Sequence, residues 1–346
     1  MKKILAFILA LSFMLVLPVS ANALSIDDGI DALKEEFVFG EGPEENGFSI
    51  DYRYFSPAGE NDNAKYPLVI WLHGLGDGSK DGVQVNKSEI AFWASDEFQS
   101  RFKNSGGAFV IAARSREELG HTWTNEMVAP LRAAIDDFII KHKENIDVKR
   151  IYIGGYSMGG KMTLKMAVAY PEMFAAIFPI CPAWSPDAEA LEYIKNTPVW
   201  LTSSKRDPLV NFYFAVNPAW EKLTEISEMP ENLRFSQLTK VCYATGEKTP
   251  SSHHAWFSVN YDMFTTENGD YQYMTTFDGN GSEIKLTYPN GMISWLSSFS
   301  SDYDGKPIDG MGNLDNISST DNMIANMSLL EFFGTLFEAI ISVFSF

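Results

Sequence analysis

Ile151-Tyr152-Ile153-Gly154-Gly155-Tyr156-Ser157-Met158-Gly159-Gly160 decides the fold. Three apolar residues form a short strand, Lys161 to Ala169 has the spacing of a helix, and G-x-S-x-G lies between them at Gly155, Ser157 and Gly159. A sharp strand-to-helix elbow forces the central serine into strained dihedrals and lifts its hydroxyl clear of the sheet. Glycines flank it because strand and helix pass too closely for a Cβ. The positive end of the helix dipole then favours negative charge near Ser157. A Gly-rich turn without chemistry is the bland alternative.

Outward from the elbow, strands and helices alternate. Leu68 to Leu72 and Ala108 to Ala113 are apolar runs of the kind buried on both faces of a sheet. Phe48 to Phe55 alternates like a half-exposed strand. Glu126 to His142 has helical spacing. Phe174 to Cys181, Val199 to Ser203 and Lys240 to Ala244 read as three more strands. This rhythm predicts an α/β fold with a mostly parallel central sheet and helices on both faces. Tyr271 to Thr287 predicts a β-hairpin turning at Asp278-Gly279-Asn280-Gly281, within an insertion spanning about residues 266–290.

A serine hydroxyl needs a base, and an oriented imidazole is the usual solution. Of the five histidines, His73 opens a loop after a strand, His121 sits in a loop, and His142 ends a helix and reads as solvated. Only His253 and His254 lie downstream in the order serine, acid, histidine. Asp207 follows the Val199 strand and supplies the acid, although Asp207-Pro208 also suits an ordinary turn. His73-Gly74-Leu75-Gly76-Asp77-Gly78 can present backbone N–H groups to a developing oxyanion. Leu75 and Met158 are the expected donors, and His73 is expected to brace the loop.

These residues resemble a known group. Leu72 to Gly78, Asn145 to Gly160 and Tyr170-Pro171-Glu172-Met173-Phe174-Ala175-Ala176 look like the α/β-hydrolase superfamily. More narrowly they resemble secreted esterases of the feruloyl esterase and polyhydroxybutyrate-depolymerase type, with related carboxylesterases and predicted peptidases. His253-His254-Ala255-Trp256 resembles that group's H-x-A-W loop, whose first position is catalytic, which favours His253. Asp207 matches its acid position. The resemblance implies an acyl-enzyme mechanism with no cofactor, acting on a small-molecule or polysaccharide ester. Trp123, Trp184 and Trp256 are candidates to touch substrate, with Phe212 and Trp220 as further aromatics near the acyl pocket. A serine peptidase of the prolyl-oligopeptidase-like type and a non-catalytic binding module on the same fold are the alternatives.

Composition narrows the remainder. The 346 residues carry 27 Lys+Arg against 45 Asp+Glu, a net charge of −18 that argues against nucleic-acid binding. There is no HExxH and no CxxC, and adjacent histidines do not easily share one ion, so no metal is expected. Cys181 and Cys242, predicted two strand spacings apart, are expected to be free buried thiols. Residues 1–23 read as a signal peptide, from Lys2 and Lys3 through an apolar run to Ala21-Asn22-Ala23, implying export and a secreted or cell-surface location. The catalytic domain spans 24–300, a polar linker 301–326, and an amphipathic helix 327–346. That helix has three readings: docking back on the enzyme, self-association, or shallow attachment to a membrane surface.

Overall fold

The computed structural model describes residues 33–57, 64–86, 90–115, 122–243, 248–260, 271–287, 290–307 and 312–313. The expected signal peptide, the C-terminal helix, His121 and most of the linker lie outside them. Among the described residues no helix is long and apolar enough to cross a membrane.

Among the described residues, ten strands form one sheet. They are β1 (Val38–Glu41), β2 (Asp51–Phe55), β3 (Tyr66–Leu72), β4 (Phe109–Ala113), β5 (Ile146–Tyr156), β6 (Ala176–Ile180), β7 (Val199–Ser204), β8 (Leu233–Leu238), β9 (Met274–Asp278) and β10 (Glu283–Ile284). Their order is β1-β2-β4-β3-β5-β6-β7-β8-β9-β10. Every pair from β4 to β8 is parallel, and antiparallel strands extend both edges. Strands β3, β4 and β6 are buried at every position, which is why they read as unbroken apolar runs. Helices α1 (Val128–Lys141) and α2 (Met158–Ala169) and the later α3 (Asn217–Ile226) occur between strands. This is the architecture of an α/β hydrolase.

After β3 the chain forms β4 on one side and then crosses to β5 on the other. The carboxyl ends of β3 and β5 therefore flank the point where strand order reverses, the place where open α/β sheets bind ligands. Leu72 pairs with Gly155 at that end. A Cβ at Gly155 would lie 2.3 Å from the Leu72 carbonyl oxygen, and one at Gly159 2.0 Å from it. The two glycines of the elbow are thus set by the close approach of β3.

Several expectations need correction. Of the strand predicted over Lys240 to Ala244, the described residues 240–243 form no regular strand, and Cys242 makes only an isolated bridge to Lys248. The strand beside β7 is β8, which ends at Leu238, before the predicted strand begins, and whose arginine, serine and glutamine interrupt the apolar pattern. Both cysteines are nevertheless free and buried. The hairpin forms as β9 and β10, but β9 pairs with β8 and so continues the main sheet. Ser301–Lys306, read as the start of the linker, is packed on the body: Ser301 N–H donates to the Lys149 carbonyl at 2.8 Å, and Tyr303 is buried. His142 is not simply solvated, since its ring lies 4.3 Å from that of Phe138.

Candidate active site

Ser157 sits between β5 and α2 with φ 56° and ψ −115°, a conformation that a residue with a Cβ rarely adopts. The surroundings hold it there. Its N–H donates to the Ile180 carbonyl at 2.9 Å, and its own carbonyl accepts from Lys161 and Ala183. Its side chain does not cap the helix. The next amide, that of Met158, is the first of α2, where amides have no partner inside the helix.

Asp207 lies three residues past β7 and His253 far downstream, as the sequence predicts. His253 Nδ1 donates to Asp207 Oδ2 at 2.8 Å. Asp207 Oδ1 accepts from the amides of Leu209 and Val210, each at 2.9 Å, so both oxygens are committed and the carboxylate cannot turn away. Nδ1 thus carries the proton, and Nε2 is left as an acceptor. His253 N–H bonds Ser251 Oγ at 3.1 Å, and its carbonyl accepts from Ala255 N at 2.8 Å. Burial works against the charged ring, but the neighbouring Cys181 and Asp207 outweigh it and raise the His253 pKa well above 6.5. Burial also pushes the Cys181 thiol up.

Ser157 and His253 are each bonded to the end of β6. Ser157 bonds Ile180, and the next side chain, Cys181, directs its thiol to the His253 carbonyl at 3.5 Å. The Tyr156 ring lies 6.2 Å from the imidazole. His254 is displaced from this centre and packs on Trp256, with ring centroids 4.6 Å apart.

The Gly74–Gly78 loop follows β3. His73 is fully buried. Its Nδ1 donates to the Gly74 carbonyl at 2.6 Å, and its Nε2 accepts from Ser115 N at 3.0 Å. It is a brace, as expected from sequence. A Cβ at Gly78 would fall 2.5 Å from His73 Nε2, so loop and brace are fitted to each other. Leu75 is 43% exposed at the tip.

The tryptophans expected to touch substrate are turned inward. Trp123 Nε1 donates to the His73 carbonyl at 2.9 Å. Trp184 is buried with Lys165 Nζ 5.3 Å above its ring. Trp256 packs on Tyr156, with centroids 4.1 Å apart and the rings tilted by 38°. Phe212 is stacked on Phe235, and Trp220 packs there too. These rings build the frame of the site. Sequence reading passed over Tyr156, which touches two loops of the site, and Cys181. Their positions beside the nucleophile and at a strand end were the only signals available.

Comparison with known proteins gives matches of three kinds. The sequence model of the Phospholipase/Carboxylesterase family matches residues 112–239. A poly(3-hydroxybutyrate) depolymerase of Ralstonia pickettii is 27% identical over 146 residues, 38% of this chain and 29% of the depolymerase. A solved thermostable esterase superposes with a TM-score of 0.55 and 30% identity, over 66% of this chain and 61% of the esterase. The chain thus spans less than two thirds of either relative.

Proposed function

We propose that this chain, an α/β hydrolase of the esterase kind, is a serine hydrolase that cleaves carboxylic esters through Ser157, His253 and Asp207. The observation that carries the reading is the 2.8 Å bond from His253 Nδ1 to a doubly anchored Asp207, beside a serine in a strained elbow. The similarity to a depolymerase of a polyester and to an esterase supports an ester substrate.

In this reading His253 Nε2 accepts the Ser157 proton as Oγ attacks the ester carbonyl. The hydrogen bonds described at this centre join Asp207 to His253. Ser157 Oγ and Nε2 close on each other when a substrate carbonyl is seated, as such contacts commonly do. The N–H groups of Leu75 and Met158 stabilise the oxyanion. The alcohol leaves with the proton from His253, and water activated by the same nitrogen releases the acid from the acyl-enzyme. The substrate class is a short-chain ester, with feruloyl or acetyl esters of plant polysaccharides within its range. Residues 1–23 support export, so the enzyme works outside the cytoplasm or at the cell surface.

The test is a panel of feruloyl, acetyl and short-chain aryl esters run beside chromogenic peptides, with fluorophosphonate labelling of the protein and of Ser157→Ala. Ester turnover with labelling confined to the protein that has Ser157 is expected. Peptide turnover without ester turnover would make it a peptidase, and absence of labelling would leave only a binding module.

A further inference from the structure

The proposed hydrolysis uses no thiol, yet one is built into its centre. Cys181 Sγ, a ring nitrogen of His253 and a carboxylate oxygen of Asp207 all lie within 4.8 Å of one another, and all three residues are buried. The thiol is held there by backbone. Cys181 has φ 35°, its N–H donates to the Thr202 carbonyl at 2.7 Å, and its Sγ reaches the His253 carbonyl. It has no disulfide partner.

We propose that Cys181, His253 and Asp207 form a three-donor site for a thiophilic divalent cation of the zinc or cadmium class, and that an ion bound there switches the hydrolase off reversibly. Thiolate, imidazole and carboxylate are the donor types such ions select. Bond lengths of roughly 2.0–2.3 Å to each donor put tetrahedral ligand atoms about 3.4–3.6 Å apart. The His253–Asp207 pair at 2.8 Å would open by about half an ångström, and the widest pair, within 4.8 Å, would close by up to about an ångström, as the ion draws the donors to that spacing. Water takes the fourth position.

The proton count shows why binding inhibits. The thiol releases one proton to solvent as Sγ coordinates. Neutral imidazole has one lone pair and one N–H. If Nε2 coordinates, the lone pair that would take the Ser157 proton is occupied. If Nδ1 coordinates, the proton sits on Nε2, which is then a donor. Either way the general base is lost. Because the thiol must be deprotonated, binding weakens toward acid pH.

Inhibition rests on the proposed activity, but binding does not, so the experiment reads both. The reduced full chain is titrated with cadmium, following the thiolate-to-cadmium charge-transfer absorption in the ultraviolet. Aryl-ester turnover and fluorophosphonate labelling are followed in parallel with cadmium or zinc. Cys181→Ala, Cys181→Ser and Cys242→Ala are each compared with their own metal-free rate, and a chelator is added last. The absorption band, and inhibition reversed by the chelator, are expected in the natural chain and in Cys242→Ala. Removal of the band and at least a tenfold weaker inhibition are expected in both Cys181 variants. Cys181→Ser keeps a donor for the His253 carbonyl should Cys181→Ala fail to fold. No band in the natural chain, or equal inhibition after loss of Cys181, overturns the proposal. A chain that shows the band but never reacts with fluorophosphonate would refute the hydrolase reading and leave the ion site standing.

Discussion

The Tyr156 hydroxyl donates to the carboxylate of Asp77, joining the residue before the nucleophile to the loop after β3 across 79 positions of sequence. Both side chains are buried. The same ring packs on Trp256 of the histidine loop, and a Cβ at Gly74 would lie 2.5 Å from it. One side chain therefore sets the spacing of the elbow, the Gly-rich loop and the histidine loop. Catalysis by backbone N–H groups depends on such spacing, because donors must already be aimed where charge develops.

Tyr156→Phe tests that role. The ring packing stays, and Asp77 loses a donor. Loss of a hydrogen bond to a buried charged group costs about 1.5–3 kcal/mol, so the denaturation midpoint should fall. If the loop carries the oxyanion donors, kcat for an aryl ester falls about tenfold or more, while KM moves little. A purely structural role would lower stability alone. In Tyr156→Phe with Asp77→Asn the two effects should be less than additive, since the residues are in contact.

Asp207→Asn addresses the electrostatics of the base. Burial opposes the charged His253 ring, and the neighbouring Cys181 and Asp207 outweigh it and raise its pKa above 6.5. A raised pKa favours the cation, and the reaction needs the neutral ring. The kcat/KM of the natural enzyme should therefore rise with pH through a value above 6.5. Without the negative charge that limb moves to lower pH. Turnover should fall by about 10⁴, because the amide no longer secures the productive tautomer. A pH–rate profile of both proteins checks this, and an unmoved limb would show that His253 is not the group observed.

Gly159→Ala places a methyl 2.0 Å from the Leu72 carbonyl oxygen, a backbone atom that cannot swing aside. Strand and helix must separate, at a cost of about 1–3 kcal/mol. Since Gly159 lies two residues past the nucleophile, the elbow opens with them. Urea unfolding should report the lost stability, and fluorophosphonate labelling of Ser157 should slow markedly.

How much of this could be read from the chain differs by residue. Ser157 and its glycines were legible because an elbow is local, encoded in ten consecutive residues. Strand β3 was legible because burial on both faces leaves no polar position. Strand β8 was not, since Arg234 and Gln237 are only partly buried and the pattern is mixed. For the tryptophans the sequence leaves two outcomes open: an aromatic in a loop near a site can face the cavity or support its wall. Only the partners decide, such as the His73 carbonyl for Trp123 and Tyr156 for Trp256. Cys181 and Tyr156 acquire their roles from strand crossovers that bring positions 72 and 79 residues away against them.

Arg132 and Asp136 make the remaining prediction, which concerns stability away from the site. Arg132 Nε donates to Asp136 Oδ1 at 2.8 Å, and its NH2 donates to the Tyr303 hydroxyl at 2.7 Å. The Tyr170 and Tyr303 rings lie 5.0 and 5.4 Å from the guanidinium. Burial pushes the Asp136 pKa upward despite the arginine beside it. Removing the cation alone, in Arg132→Met, leaves that buried carboxylate without its guanidinium and should cost about 3–5 kcal/mol, while the Tyr303 hydroxyl keeps the Lys306 carbonyl as its acceptor. It should also free Ser301–Lys306 from α1, visible as faster proteolysis there. Arg132→Met with Asp136→Leu and Tyr303→Phe removes the polar groups together and should recover most of the lost stability. If the triple variant is as unstable as Arg132→Met, the cluster acts through shape, and the charge balance drawn from its hydrogen bonds is wrong.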